Sequence, residues 1–464
     1  MVNQQAPSSA EQNVGVAVVG GGPVGLTTAM LLARRGHDVH VFEGRDDPRI
    51  VPALGGRSIS LTLATRGWHA IRRIGAEERV QQITIPLWGR MIHGELGELR
   101  FQPYGANGEA LASVSRSALT QSLLDHAETY ENVHLHFGWR CVGVRTEDGT
   151  LSFHADGRAA RVRANVILAA DGASSGVRRS LLGRPGFSLT RWYCRHFYRE
   201  LSTPPGIIEH AELDKNALHI WPRGECMLVA FANPLQGLTC TLFLPFEGDV
   251  SFRSLASPDD VREFFTSSFS DIAHWMPQLA SDFFSEAPSS LVSLRCAPWV
   301  FDGRVALIGD AAHAMYPFLG QGLNAGLEDA TTLADFVTAY GDDWASALAH
   351  YESARRENCD AVIDIAAEHY DEIARSARES DFILRKRLES RLTELFPDEL
   401  ASPYHVVSFT NRPYTEARHT ADLQTLIIDR MLAHDDLAAR IGSEELDHEL
   451  RRLAFSYLRG SVPP

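Results

Sequence analysis

Residues 14–43 read VGVAVVGGGPVGLTTAMLLARRGHDVHVFE. The apolar run 14–19 has the character of a buried parallel strand, which presents no polar face. It runs into Gly20-Gly21-Gly22-Pro23-Val24-Gly25, a G-x-G-x-x-G turn. Residues 26–35 have helical composition and stop at Gly36, and 39–42 form a second strand ending in Glu43. Strand, glycine turn, helix, strand and acid together predict a βαβ unit that binds a dinucleotide. Gly20 makes the tight turn, Gly22 lets a pyrophosphate approach the backbone, and Gly25 lets helix pack on strand. Val24 lies inside the same turn. The helix start offers unpaired N–H groups and a positive dipole end to the phosphates. Glu43 is placed to accept from ribose hydroxyls. The unit alone leaves FAD and NAD open.

The chain has 464 residues, 44% hydrophobic and 22% charged, as in soluble globular proteins. A formal net charge of −15 argues against nucleic acid or an anionic membrane as partner. No apolar run of about 18 residues occurs, so no transmembrane helix is expected. Residues 1–13 are polar and read as a disordered leader rather than a signal peptide. The six cysteines are scattered, without a C-x-x-C pair, and read as thiols in a reducing cytoplasm. Nineteen histidines include no H-E-x-x-H, so no metal site is expected.

Beyond Glu43, a helix is expected to run from about residue 62 to Ile74. Residues 88–93 read as a strand that continues in a hairpin to Tyr104. Ser115 opens an amphipathic helix with Leu119, Leu123, Leu124 and Ala127 at helical spacing. Strands follow at 133–137, 140–146, 150–155 and 160–169. The last ends in Asp171-Gly172, at the sheet edge where open α/β folds bind ligands. Residues 187–247 alternate aromatic and polar positions, the pattern of a separate, mostly antiparallel sheet. Ser257 caps a helix with Pro258 in its first position. A third apolar strand, from residue 305, ends in Gly309-Asp310. Gly320-Gln321-Gly322-Leu323-Asn324-Ala325-Gly326 then opens a helix running to about Tyr340. From Asp342 onwards the chain is mainly helical.

Gly20–Gly25, Asp171-Gly172 and Gly309-Asp310 occur in the order found in the group A FAD-dependent aromatic hydroxylases, and the chain resembles that family. Gly56-Arg57-Ser58-Ile59, Arg90-Met91-Ile92-His93, Pro103-Tyr104-Gly105 and Ser113-Val114-Ser115-Arg116 match its kynurenine branch. So do His219-Ile220-Trp221-Pro222-Arg223, Gly320-Gln321-Gly322-x-Asn324-Ala325-Gly326-x-Glu328-Asp329, and Tyr404 in a Tyr-x-x-Val-x-Phe context. The similarity runs from about Val14 to Tyr414.

The resemblance implies FAD as cofactor and NADPH or NADH as a transient co-substrate. The implied reaction is hydroxylation of L-kynurenine, or a close analogue, at the ring 3-position through a C4a-hydroperoxyflavin. In that reading Gly20, Gly22, Val24, Gly25, Glu43, Arg116, Asp171, Asp310, Gly322, Leu323 and Asn324 hold the cofactor. Asp310 faces the ribityl chain, and the N–H groups of 322–324 face the flavin pyrimidine edge. Arg90, Tyr104, Phe243, Phe318, Gln321, His369 and Tyr404 bind the substrate, with Arg90 and the tyrosines on its carboxylate. No side chain is implied as catalytic acid or base. The chain departs from the family at His369, where the family has Asn, and at Ile373, where it has Met. Phe197 replaces a smaller residue. The implied partners are a small aromatic amino acid and O₂, and the implied location is cytoplasmic, without a membrane anchor.

The expected fold is α/β, a Rossmann-like FAD-binding domain (14–75, 106–186 and 295–340). It is interleaved with a mostly antiparallel substrate domain (76–105 and 187–294), and a helical region follows (341–464). Hydroxylation of another small aromatic acid is the alternative. A flavin-binding reductase or non-hydroxylating flavoprotein is the reading from another class.

Overall fold

A computed structural model of the chain describes residues 12–51, 60–105, 108–155, 157–233, 237–375, 380–433 and 437–459. Most of the leader, the Gly56–Ile59 match and the Ile373 side chain lie outside the described residues. The chain divides into two compact units, residues 1–356 and 357–464.

The first unit is built on the opening βαβ. Strand β1 (Gln12–Val19), helix α1 (Pro23–Ala33) and strand β2 (Val39–Phe42) follow one another as the residue pattern predicts. They sit in an eight-stranded sheet ordered Val300–Phe301, Val305–Leu307, Arg158–Ala169, β1, β2, Val133–His136. The run from Val305–Leu307 to Val133–His136 is parallel throughout. β1 is buried between two parallel neighbours, which explains its unbroken apolar sequence. Its carboxyl end, that of Arg158–Ala169 and that of Val305–Leu307 therefore open on one edge of the sheet.

A seven-stranded sheet follows the order Ser289–Ala297, Ser188–Ser202, Gly237–Pro245, Cys226–Asn233, Ala217–Arg223, Gly89–His93, Leu99–Pro103. It is antiparallel except where Ala217–Arg223 pairs with Gly89–His93. One face is covered by an apolar core that includes Trp221, Leu242, Leu244, Phe265 and Phe269. Helix Pro258–Ser268 contributes to that core and starts with the expected cap: Ser257 Oγ accepts from Asp260 N, and Asp260 accepts from Ser257 N.

The third sheet corrects the sequence reading. Strand β3 (Ser60–Leu63) pairs with Leu111–Ser115, which pairs with Thr84–Leu87, and helix α2 (Thr65–Arg73) starts only after β3. These strands are only four or five residues long, too short for their alternation of polar and apolar positions to mark them as strands. Their register is set from far away: Asn324 accepts from Ala64 N at 2.8 Å and donates to Thr62 O at 2.9 Å.

The second unit is helical, with helices Ser380–Leu395, Pro403–Phe409, Tyr414–Leu432 and Glu444–Leu458. Leu388, Leu392, Phe396, Ile427, Ile428, Met431, Leu446 and Leu450 form its core. Among the described residues no helix is long and apolar enough to cross a membrane. All six cysteines are buried thiols.

Candidate functional site

The glycine turn is shaped by contacts that leave no room for side chains. Gly20 has φ 109°, and a Cβ there would lie 2.4 Å from Ala170 O. A Cβ on Gly25 would come within 2.0 Å of Gly20 O. Gly22, by contrast, has open space where its Cβ would be. Helix α1 starts there without a side-chain cap, so its first N–H groups keep their capacity for an anion. Glu43 is held more tightly than its sequence position suggests. Its Oε2 accepts from Gly21 N at 2.8 Å, and its Oε1 accepts from Arg45 N at 3.0 Å and Arg45 Nε at 2.8 Å. Burial opposes its charge, but these hydrogen bonds hold the carboxyl below the usual range. Glu43 thus fastens the turn as well as standing at the end of β2.

The motifs converge on Val24. A Cβ built on Gly309 would lie 3.3 Å from one Val24 methyl, and one built on Gly326 would lie 2.7 Å from the other. Asp171 follows Ala170, the residue packed on Gly20. Its Oδ2 accepts from Gly176 N (2.7 Å) and Val177 N (3.2 Å), capping the short helix Gly176–Ser180. Its Oδ1 is buried without a hydrogen-bond partner, and burial raises its pKa. An orphaned carboxylate oxygen beside the glycine turn fits a site completed by a ligand. Asp310 is exposed, and its Oδ1 lies 3.7 Å from the Cβ position of Gly322, at the start of helix Gly322–Tyr340. That helix also begins without a side-chain cap. Leu323 is half-buried in its first turn. The Asn324 side chain is committed to β3 and to Gly320 O, leaving only its backbone for a cofactor. Arg116 is exposed in the first turn of helix Arg116–Ala127, behind the Ser115 cap. A cation there opposes the helix dipole, a placement that a bound anion relieves.

Sequence reasoning passed over the network that supports the Gly309-Asp310 turn. Asp329 Oδ2 accepts from Gly309 N at 2.9 Å and pairs with His313 Nε2 at 2.5 Å, and its Oδ1 accepts from Arg355 Nε at 2.8 Å. Glu328 bridges Arg66 (2.8 Å) and Arg355 (2.7 Å). Burial works against the Asp329 charge, yet His313 and Arg355 bring its pKa down to about 2. The signal was the Glu328-Asp329 pair, quoted with the motif but given no role.

Four of the substrate candidates of the first unit form two pairs, each with one member on the seven-stranded sheet. The Arg90 guanidinium lies 5.6 Å from the centre of the Tyr104 ring. Phe243 and Phe318 pack with ring centres 5.1 Å apart, and Gln321 is buried beside Gly322. Tyr198, a further residue not singled out, lies 6.4 Å from Phe243 and is half-buried. Phe197 does not share that face. Strand alternation turns it onto Phe246, 4.8 Å away, and the apolar core behind the sheet. Its size therefore does not shape the Phe243 cluster. In the second unit, His369 is half-buried on helix Trp344–Arg375. Tyr404 stands in the first turn of Pro403–Phe409, its ring 6.3 Å from Phe409.

Comparison with known proteins adds three findings. The family described as FAD binding domain matches residues 13–216 and 272–366. The chain is 36% identical over 440 residues to a protein from Flavobacterium johnsoniae named kynurenine 3-monooxygenase, covering 94% of this chain and 98% of that protein. Proteins of the same name from Myxococcus xanthus and Sus scrofa are 40% and 35% identical over 419 and 428 residues, covering 90% and 92% of this chain and 90% of each of theirs. Among solved structures, 2-methyl-3-hydroxypyridine-5-carboxylic acid oxygenase superposes with a TM-score of 0.64 at 22% identity, over 79% of this chain and 94% of its own. The p-nitrophenol 4-monooxygenase of Pseudomonas putida gives 0.63 at 20% identity, over 90% of this chain and 99% of its own. These two likenesses show the fold alone.

Proposed function

Because the chain belongs to the kynurenine 3-monooxygenase family of FAD-dependent aromatic hydroxylases, we propose that it uses NADPH and O₂ to hydroxylate L-kynurenine, or a close analogue, at the ring 3-position. The observation that carries this reading is the meeting of the glycine turn, Gly309 and Gly326 at Val24, with the orphaned Asp171 oxygen beside the turn. FAD, when bound, supplies the redox chemistry that activates oxygen, which side chains cannot.

The chain's own residues bind, orient and shield. The Gly20–Gly25 turn and the start of α1 take the pyrophosphate, with Glu43 near the ribose and Asp310 on the ribityl chain. Backbone N–H groups of 322–324 and the positive end of their helix would hold the flavin ring and favour negative charge on it. Phe243 and Phe318 supply an apolar wall that keeps water from the reacting ring. Arg90, with Tyr104 beside it, holds the substrate carboxylate and fixes the ring's approach. The roles of His369 and Tyr404 are proposed on the sequence match alone. His369 in place of the family Asn is the specific reason to include a modified kynurenine as substrate. The division into cofactor, substrate and helical regions belongs to the same proposal. Six buried thiols agree with a reducing compartment such as the cytoplasm.

The test is NADPH oxidation by the purified yellow protein with and without L-kynurenine, with the product identified. Strong stimulation and a 3-hydroxylated product support the reading. Stimulation only by other aromatic acids replaces it with hydroxylation of those acids. No flavin reduction by either nicotinamide removes both.

A further inference from the structure

At one edge of the large sheet, strand Val133–His136 and its neighbour β2 carry a cluster that the sequence spacing hides. His40 on β2 lies beside His134 on the neighbouring parallel strand, and Asp38 just precedes β2. Asp38 faces both rings: its Oδ1 is 2.8 Å from His134 Nε2, and its Oδ2 is 3.3 Å from His40 Nε2. The ligand atoms offered by the three residues lie within 4.8 Å of one another. We propose that Asp38, His40 and His134 bind one borderline divalent transition-metal ion, of which Zn²⁺ is the simplest probe.

The geometry and donor set agree. In a tetrahedral zinc site with bonds of about 2.0–2.2 Å, ligand atoms stand about 3.3 Å apart. The His40 separation from Asp38 matches that value and the His134 separation is shorter by about half an ångström, so small side-chain rotations admit an ion in place of the protons now shared between carboxylate and imidazoles. The ring next in line completes the arrangement. His136 Nε2 lies 2.9 Å from His40 Nδ1, and the His136 ring stacks on Phe42 with centres 4.7 Å apart. With His40 Nδ1 donating to His136, the His40 Nε2 lone pair points toward Asp38, the outer support that metal-binding imidazoles commonly have. His40 is largely buried, whereas the side chains of His134 and Asp38 are 43% and 57% exposed, leaving an open side for water as the fourth ligand. Two imidazoles and one carboxylate favour zinc, nickel or copper over magnesium or calcium, which want several oxygens. Because the ligands come from two adjacent strands, the ion would staple the edge strand Val133–His136 to β2.

The experiment uses untagged, chelator-treated holoenzyme titrated with ZnCl₂ by calorimetry, together with thermal unfolding. One Zn²⁺ per chain is expected, with a rise in Tm that MgCl₂ does not reproduce. His134→Ala and Asp38→Asn should each weaken that binding at least tenfold and abolish the Tm rise while the flavin spectrum is retained. His154→Ala, on a different strand, serves as control and should change neither. Zinc binding of equal affinity and stoichiometry in His134→Ala, or no saturable binding to the parent chain, overturns the proposal.

Discussion

Replacing Gly326 by alanine sets helix propensity against packing at the junction of the motifs. In a free helix interior the change is favourable by about 0.8–1.0 kcal/mol. Here the new Cβ would lie 2.7 Å from Val24 Cγ2 and 3.3 Å from Gly309 Cα. The first contact is too short for any real pair. Val24 cannot swing aside, because a β-branched side chain in a helix keeps essentially one rotamer, and its other methyl already faces Gly309. Gly309 cannot retreat without lengthening its 2.9 Å hydrogen bond to Asp329. Overpacking of this kind costs about 1–3 kcal/mol, and with neither neighbour able to yield the upper half of that range applies, so after the propensity gain the net loss is about 1–2 kcal/mol. Part of the strain falls on the Gly309-Asp310 turn, so FAD affinity should drop by roughly tenfold, the equivalent of about 1.4 kcal/mol. Urea unfolding of the apoprotein and a fluorescence titration with FAD read the two effects. Val24→Ala in the Gly326→Ala background should recover at least about 1 kcal/mol beyond the additive expectation. A Gly326→Ala protein that is as stable as its parent and binds FAD equally well would refute the reasoning.

Three other outcomes are expected. Gly22→Ala meets nothing in the fold, so the apoprotein Tm should be unchanged while FAD affinity falls at least tenfold; a matching drop in Tm would contradict the open cradle. Asp329 has a folded pKa of about 2 against 3.8 for the free side chain, so its contribution is present above about pH 4 and is lost as pH falls through 2. That shift is worth on the order of 2 kcal/mol, and Asp329→Asn, which removes the buried carboxylate that His313 and Arg355 share, should cost about 3 kcal/mol at neutral pH and flatten the acid limb of stability against pH. An unaltered acid limb would show that Asp329 is not the group responsible. His369→Asn should lower the KM for unmodified L-kynurenine, and an unchanged or higher KM would reject the role given to His369.

The parts of the fold that were legible in sequence are those encoded locally. β2 is found at 39–42 as read, the Ser257 cap is present, and β1 differs only by two residues at its start. β3 was hidden because its order comes from Asn324, 260 residues away from the Ala64 it binds. The Asp329 network was hidden for the same reason: a carboxylate in a helix acquires meaning only when Gly309, His313 and Arg355 are brought around it. Phe197 shows the limit of matching positions without geometry, since the neighbouring Tyr198 is the residue that faces Phe243. Arg90 and Tyr104 were legible only through the family resemblance. Nothing in their spacing shows that adjacent antiparallel strands bring them together.

The central claim is that this chain inserts one atom of O₂ into the ring of kynurenine. Turnover of the FAD-loaded enzyme with NADPH and L-kynurenine under ¹⁸O₂, read by mass spectrometry of the product, tests it most directly. The account predicts one ¹⁸O in a new hydroxyl at the ring 3-position, with NADPH consumed in step with product. NADPH consumption that yields only hydrogen peroxide with kynurenine and its close analogues, or a product hydroxyl drawn from water, would contradict it.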